Sequence, residues 1–134
     1  MAWVNVHTLR TDRASYMGLI TALVHPKYQA NNYAHDIALI KLEKKVDLKK
    51  MAAKVKLPSA ADNFGPSSEC WITGWGDVKI GVPLPYPETL QELKIPILPN
   101  SVCNAKYPDL AADTLCAGDM AGGKDPAMGI MAAR

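Results

Sequence analysis

The stretch Cys70-Trp71-Ile72-Thr73-Gly74-Trp75-Gly76 decides how the rest of the chain is read. As an extended strand it places Trp71, Thr73 and Trp75 on one face and Cys70, Ile72 and Gly74 on the other. Both faces are largely apolar, which predicts a strand buried on both sides. Gly74 and Gly76 leave room for close backbone approach or a bend, as at a barrel corner.

Working outward, residues 2–10 and 15–25 read as strands, with Thr11, Asp12 and Arg13 as the turn between them. His25-Pro26 ends the second strand, and 27–33 is a surface loop with two adjacent asparagines. Asp36-Ile37-Ala38-Leu39-Ile40-Lys41-Leu42 is a short apolar run of the kind that forms a buried strand. Seven lysines lie from Lys41 to Lys56, a pattern that fits a solvated connecting face better than an anion site. Residues 58–68, rich in Pro, Gly, Ser and Asn, form the natural boundary between two halves.

Beyond the Cys70 strand, residues 80–88 contain three prolines and read as a loop. Residues 90–98 alternate and read as a strand. Pro99-Asn100-Ser101 suits the start of a short helix through Tyr107, capped by the Asn or the Ser. Thr114 to Gly118 reads as a short strand, and 119–129 as a Gly-rich loop.

Composition agrees with a globular, turn-rich chain: 49% hydrophobic and 21% charged residues, ten prolines and nine glycines in 134 residues. The net charge of +2 gives no case for nucleic acid or an anionic membrane as partner. No apolar run is long enough to span a bilayer. The start, Met-Ala-Trp-Val-Asn-Val-His, lacks the features of a signal peptide. Three cysteines leave at least one thiol without a partner inside the chain.

Four ordered motifs resemble the chymotrypsin/trypsin-like serine proteases, specifically their tryptase and prostasin-like branch. They are DIALIKL (36–42), ECWITGWGDV (69–78), TLQELKIPILPNSVCNAKY (89–107) and TLCAG (114–118) followed by GGKD (122–125). The resemblance implies an all-β fold, a trypsin-like double antiparallel β-barrel. At 134 residues the chain is too short to hold both barrels whole, so both are expected to be incomplete, cut at both ends. Residues 1–57 then belong to the first barrel, 58–68 to the inter-barrel linker and 69–134 to the second.

Carried over residue by residue, the resemblance makes Asp36 the triad aspartate, which orients a catalytic histidine through a hydrogen bond. It places Asp125 at the base of a trypsin-type pocket, where a carboxylate would pair with a substrate Arg or Lys. It pairs Cys103 with Cys116 in a disulfide and leaves Cys70 as the free thiol. It implies no cofactor and no metal, a polypeptide substrate, and an extracellular setting.

The departures from the family pattern bear on activity. A protease of this type needs a serine nucleophile, a histidine base and an aspartate. The histidine normally lies in Ala-Ala-His-Cys, yet none of His7, His25 and His35 is followed by cysteine. All three read as surface residues. His35 adjoins Asp36, but strand neighbours point to opposite faces, so the two are not expected to pair. The serine should lie in Gly-Asp-Ser-Gly-Gly after the GGKD loop. By counting, Met131 takes its place, and Gly129 takes that of the oxyanion-hole glycine. The amine–aspartate pair that activates the family is missing too. The expectation is a trypsin-like serine endopeptidase in descent, but a truncated, catalytically inactive chain prone to self-association. The alternatives are a non-catalytic pseudoprotease that binds a partner and a non-functional splice product.

Overall fold

A computed structural model describes residues 2–10, 15–50, 54–79 and 81–118. Its elements are β1 (Trp3–Val4), β2 (Ser15–Tyr16), β3 (Thr21–Val24), β4 (Ala38–Lys41), β5 (Cys70–Gly74), β6 (Gln91–Ile95) and one helix, α1 (Asn100–Lys106). The strands pair antiparallel as β1-β2, β3-β4 and β5-β6, and among the described residues no sheet closes. The turn at 11–13 and the loop at 119–129 lie outside the described residues.

The chain forms two compact units. One comprises Met1–Val6, Asp12–Asp62 and Leu110–Asp113; the other comprises His7–Thr11, Asn63–Asp109 and Thr114–Arg134.

In the first unit the strand expected over 2–10 is much shorter. It stops at Val4, and Asn5 turns into the left-handed region at φ 61°, a conformation asparagine tolerates better than most residues. Trp3 pairs with Tyr16 across β1-β2, their rings 5.0 Å apart, and Lys44 Nζ lies 5.3 Å from the Tyr16 ring.

The strand expected over 15–25 is broken as well. Gly18 sits at φ +66°, and a Cβ there would run into the Glu43 side chain, so only glycine fits without a shift. Just before it the backbone is tied down at Met17, whose N–H donates to the Ala2 carbonyl at 2.9 Å and whose carbonyl accepts from Lys44 N–H at 3.0 Å.

The Asp36–Leu42 run forms a strand only from Ala38 to Lys41, in register Leu23↔Leu39 and Ala22↔Ile40 with β3. The expectation of burial is overturned here: every residue of β4 is exposed, with Leu39 at 71%. Among the described residues the sheet has two strands, and these side chains are left uncovered.

In the second unit β5 and β6 run in register Cys70↔Ile95, Ile72↔Leu93 and Gly74↔Gln91. Ile95 is 1% exposed, and Ile72, Leu84, Ile97 and Cys103 are also buried. Burial of β5 on both faces is corrected to burial at Ile72 alone, since Trp71 is 48% exposed. Trp71 covers its outer face instead with polar neighbours: its indole N–H donates to Glu69, and Lys94 Nζ lies 6.0 Å from its ring. Trp75 lies just past the strand and donates from its indole N–H to the His7 carbonyl at 3.3 Å. That carbonyl also accepts from Leu90 N–H, and Leu9 N–H reaches the Glu88 carbonyl, so residues 7–9 run beside 88–90.

The strand over 90–98 contracts to Gln91–Ile95. The helix at Asn100–Lys106 forms, but neither Asn100 nor Ser101 caps it. Pro99 is the cap residue, with no side-chain cap hydrogen bond, and its carbonyl accepts from Val102 and Cys103 N–H. A proline ring pre-set near φ −58° leads the chain into the first turn without help from a side chain. The strand over Thr114–Gly118 is reduced to a single bridge, Ile97↔Ala117. Cys103 and Cys116 form a disulfide with their Cα atoms 5.9 Å apart, which ties α1 to this segment. Leu98 N–H to the Cys116 carbonyl and Gly118 N–H to the Pro96 carbonyl fix the segment further.

Candidate functional site

Asp36 lies between the loop that follows β3 and the start of β4. Its backbone is held on both sides. Ile37 N–H donates to the His35 carbonyl at 2.8 Å, closing a three-residue turn around Asp36. The Ile37 carbonyl accepts from His25 N–H at 3.0 Å, extending the β3-β4 ladder. The Asp36 side chain is exposed and has no hydrogen bond or ion pair to a described residue.

His35 is not a strand residue. It sits in a turn at φ 55°, which removes the strand-alternation argument against its pairing with Asp36. What it pairs with is Asp113, 78 residues away in sequence. Its backbone N–H donates to Asp113 Oδ2 at 2.8 Å, and its Nδ1 lies 3.4 Å from the same oxygen. The hydrogen bond from the His35 backbone is the main cause holding the Asp113 carboxyl below its ordinary range, with smaller help from the charges of His35 and His25.

The His25 ring stacks on that of His35, centroids 4.8 Å apart and planes 14° from parallel. His25 Nδ1 accepts from Lys27 N–H at 3.1 Å, so its proton sits on Nε2 when the ring is neutral. The two histidines read as surface residues are part-buried and stacked on each other, and the Asp113 carboxylate holds one of them, His35. Sequence reasoning missed Asp113, because nothing local in Ala-Ala-Asp-Thr marks a contact made so far along the chain.

His7 is exposed. Among the described side chains, no serine hydroxyl is hydrogen-bonded to a histidine. The Ser68 hydroxyl accepts instead from Gly65 N–H at 3.0 Å, a local turn bond. Asp125, Gly129 and Met131 lie outside the described residues. Cys70, at the start of β5, is a free, half-buried thiol. Among the described residues, no group of three or more His, Cys, Asp or Glu side chains is placed to hold a metal ion. Nor is any helix among them long and apolar enough to cross a membrane.

Known proteins give this geometry a context. The family model described as Trypsin matches residues 1–129. The chain is 38% identical over 115 residues to trypsin-3 of Salmo salar, covering 85% of this chain and 47% of that protein. It is 40% identical over 110 residues to testisin of Homo sapiens, covering 78% of this chain and 35% of that one. With tryptase of Mus musculus it shares 39% identity over 85 residues, covering 63% of this chain and 31% of that protein. The chain thus spans less than half the length of these relatives. Among solved structures, that of GrC superimposes with a TM-score of 0.79 at 24% identity, over 87% of this chain and 52% of that one, which is a likeness of fold.

Proposed function

Because the chain belongs to the trypsin family and carries part of its all-β double-barrel fold, we propose that it descends from a trypsin-like serine endopeptidase and, as these 134 residues, does not cleave peptide bonds. The observation that carries this reading is the state of Asp36. An orienting aspartate acts by accepting a hydrogen bond from the catalytic histidine. Here that carboxylate has no partner among the described residues, and the neighbouring His35 is engaged by Asp113.

The sequence supports the same conclusion. It contains no Ala-Ala-His-Cys and no Gly-Asp-Ser-Gly-Gly, and by counting a methionine, Met131, falls where the nucleophile belongs. A thioether cannot attack a carbonyl carbon. Loss of the serine or the histidine alone costs an enzyme of this chemistry on the order of a million-fold in kcat.

Residues 1–57 and 69–134 are assigned to the first and second barrels, joined through 58–68. Asp125 is read by resemblance as the base of the parent enzyme's substrate pocket; a carboxylate in that place would direct the parent enzyme to Arg or Lys. The Cys103–Cys116 bridge supports an oxidising, extracellular setting, where such bonds persist.

A second reading, a non-catalytic binding module, draws on the exposed apolar faces of β3 and β4. The deciding assay is amidolysis of peptidyl-arginine and peptidyl-lysine chromogenic substrates. No release above the buffer rate is expected; turnover that is saturable and blocked by a serine-directed inhibitor would overturn the reading.

A further inference from the structure

We propose that Asp113 is a positioning residue for Asp36, acting through the backbone of His35. The inference rests on the reading of Asp36 as the family's orienting aspartate. His35 sits at φ 55°, a left-handed conformation that residues with a Cβ adopt uncommonly, histidine more readily than most. Two contacts from outside its own turn hold it there. The Asp113 carboxylate accepts the His35 N–H at 2.8 Å, and the His25 ring stacks on the His35 ring at 4.8 Å.

The direction in which the chain leaves His35 fixes where Asp36 begins. The His35 carbonyl accepts from Ile37 N–H, and the Ile37 carbonyl accepts from His25 N–H, so Asp36 is bracketed between two residues with little freedom. Its side chain is left exposed on a backbone that is tied down. That arrangement suits a carboxylate meant for a partner supplied from elsewhere, because the geometry is set before the partner arrives. The Asp113 carboxylate also gives His35 a partner of its own, which keeps the imidazole next door from competing for Asp36. The charged and titratable groups at this junction are Asp113, His35, His25 and Asp36.

The test is nuclear magnetic resonance on the full chain, wild type against Asp113→Ala and Asp113→Asn. In the wild type His35 should show the strong intraresidue amide-to-Hα cross-peak of a left-handed residue. Asp113→Ala should abolish it and shift the amide resonances of Asp36 and Ile37 and the carboxyl carbon of Asp36. Asp113→Asn, which keeps a side-chain oxygen acceptor, should restore the His35 signature and the Asp36 shifts. Resonances of Ile72 and Ile95 report whether each variant remains folded.

If Asp113→Ala does not fold, an acid titration of the wild type decides. The Asp36 and Ile37 amides should then follow the Asp113 carboxyl carbon as well as Asp36's own. Asp36 and Ile37 resonances indifferent to Asp113, in the folded variant or in the titration, would overturn the proposal. That outcome is separable from failure of the functional reading, which shows as turnover or labelling and not as a resonance shift.

Discussion

Leu23 and Leu39 sit directly opposite each other across β3-β4, and both remain exposed, at 61% and 71%. Their neighbours Val24, Ile37 and Ile40 are exposed as well, at 60%, 64% and 58%. Complete burial of one such side chain is worth about 1.5–3 kcal/mol, so a handful left uncovered rivals the ~5–15 kcal/mol stability of a whole domain. Among the described residues no further strand pairs with β3 or β4, and an open strand edge invites another chain.

The isolated chain should therefore self-associate and melt over a broad range. Size-exclusion chromatography with light scattering, alongside a tryptophan-fluorescence melt, checks this. Replacing Leu23 and Leu39 together by Lys should raise the monomer fraction. A clean wild-type monomer with one sharp transition would instead favour the binding-module reading.

Reduction should loosen the second unit more than the first. The Cys103–Cys116 bridge spans a sequence separation of 13 residues. Closing a loop of this size contributes about 3 kcal/mol in the chain-entropy picture. Differential alkylation should label Cys70 before reduction and Cys103 and Cys116 only after it. In Cys116→Ser, hydrogen exchange should accelerate at the Leu98 and Gly118 amides, while the Ala22 and Ile40 amides stay as they were.

Acid should weaken two specific contacts. The Asp113 carboxyl is lowered chiefly by the His35 backbone hydrogen bond, and that of Glu69 by its bond to Lys94. A carboxylate depressed in the folded state stabilises the fold above its unfolded pKa, and the contribution is lost as pH falls through the folded value. Both groups are exposed, so solvent screens the effect and the loss should be small at each. Carboxyl carbon titrations should place both midpoints below those of the same residues in the urea-unfolded chain. The acid slope of stability should flatten in Asp113→Asn and in Glu69→Gln.

Some of this was legible in the sequence. The alternation in Gln91–Ile95 and the apolar run from Cys70 marked two strands that do pair, and Pro99 marked the start of α1. What failed was burial: a run such as Ala38–Lys41 states that it wants cover, not whether the chain supplies it. Local backbone devices were also hidden, since the breaks at Asn5 and Gly18 depend on left-handed residues rather than on hydrophobic pattern. In the candidate site, Asp36 was marked by its motif. The clasp from Asp113 to His35 was not, because a contact over 78 residues leaves no periodic trace.

The claim that this family member lacks its own catalytic machinery is tested most directly by labelling with a fluorophosphonate, followed by peptide mass mapping. Such reagents capture only a serine activated by a neighbouring base. No stoichiometric adduct is expected on any of Ser15, Ser59, Ser67, Ser68 or Ser101, at concentrations that fully label an intact trypsin. One serine labelled to completion, with labelling abolished by denaturing the chain first, would contradict it.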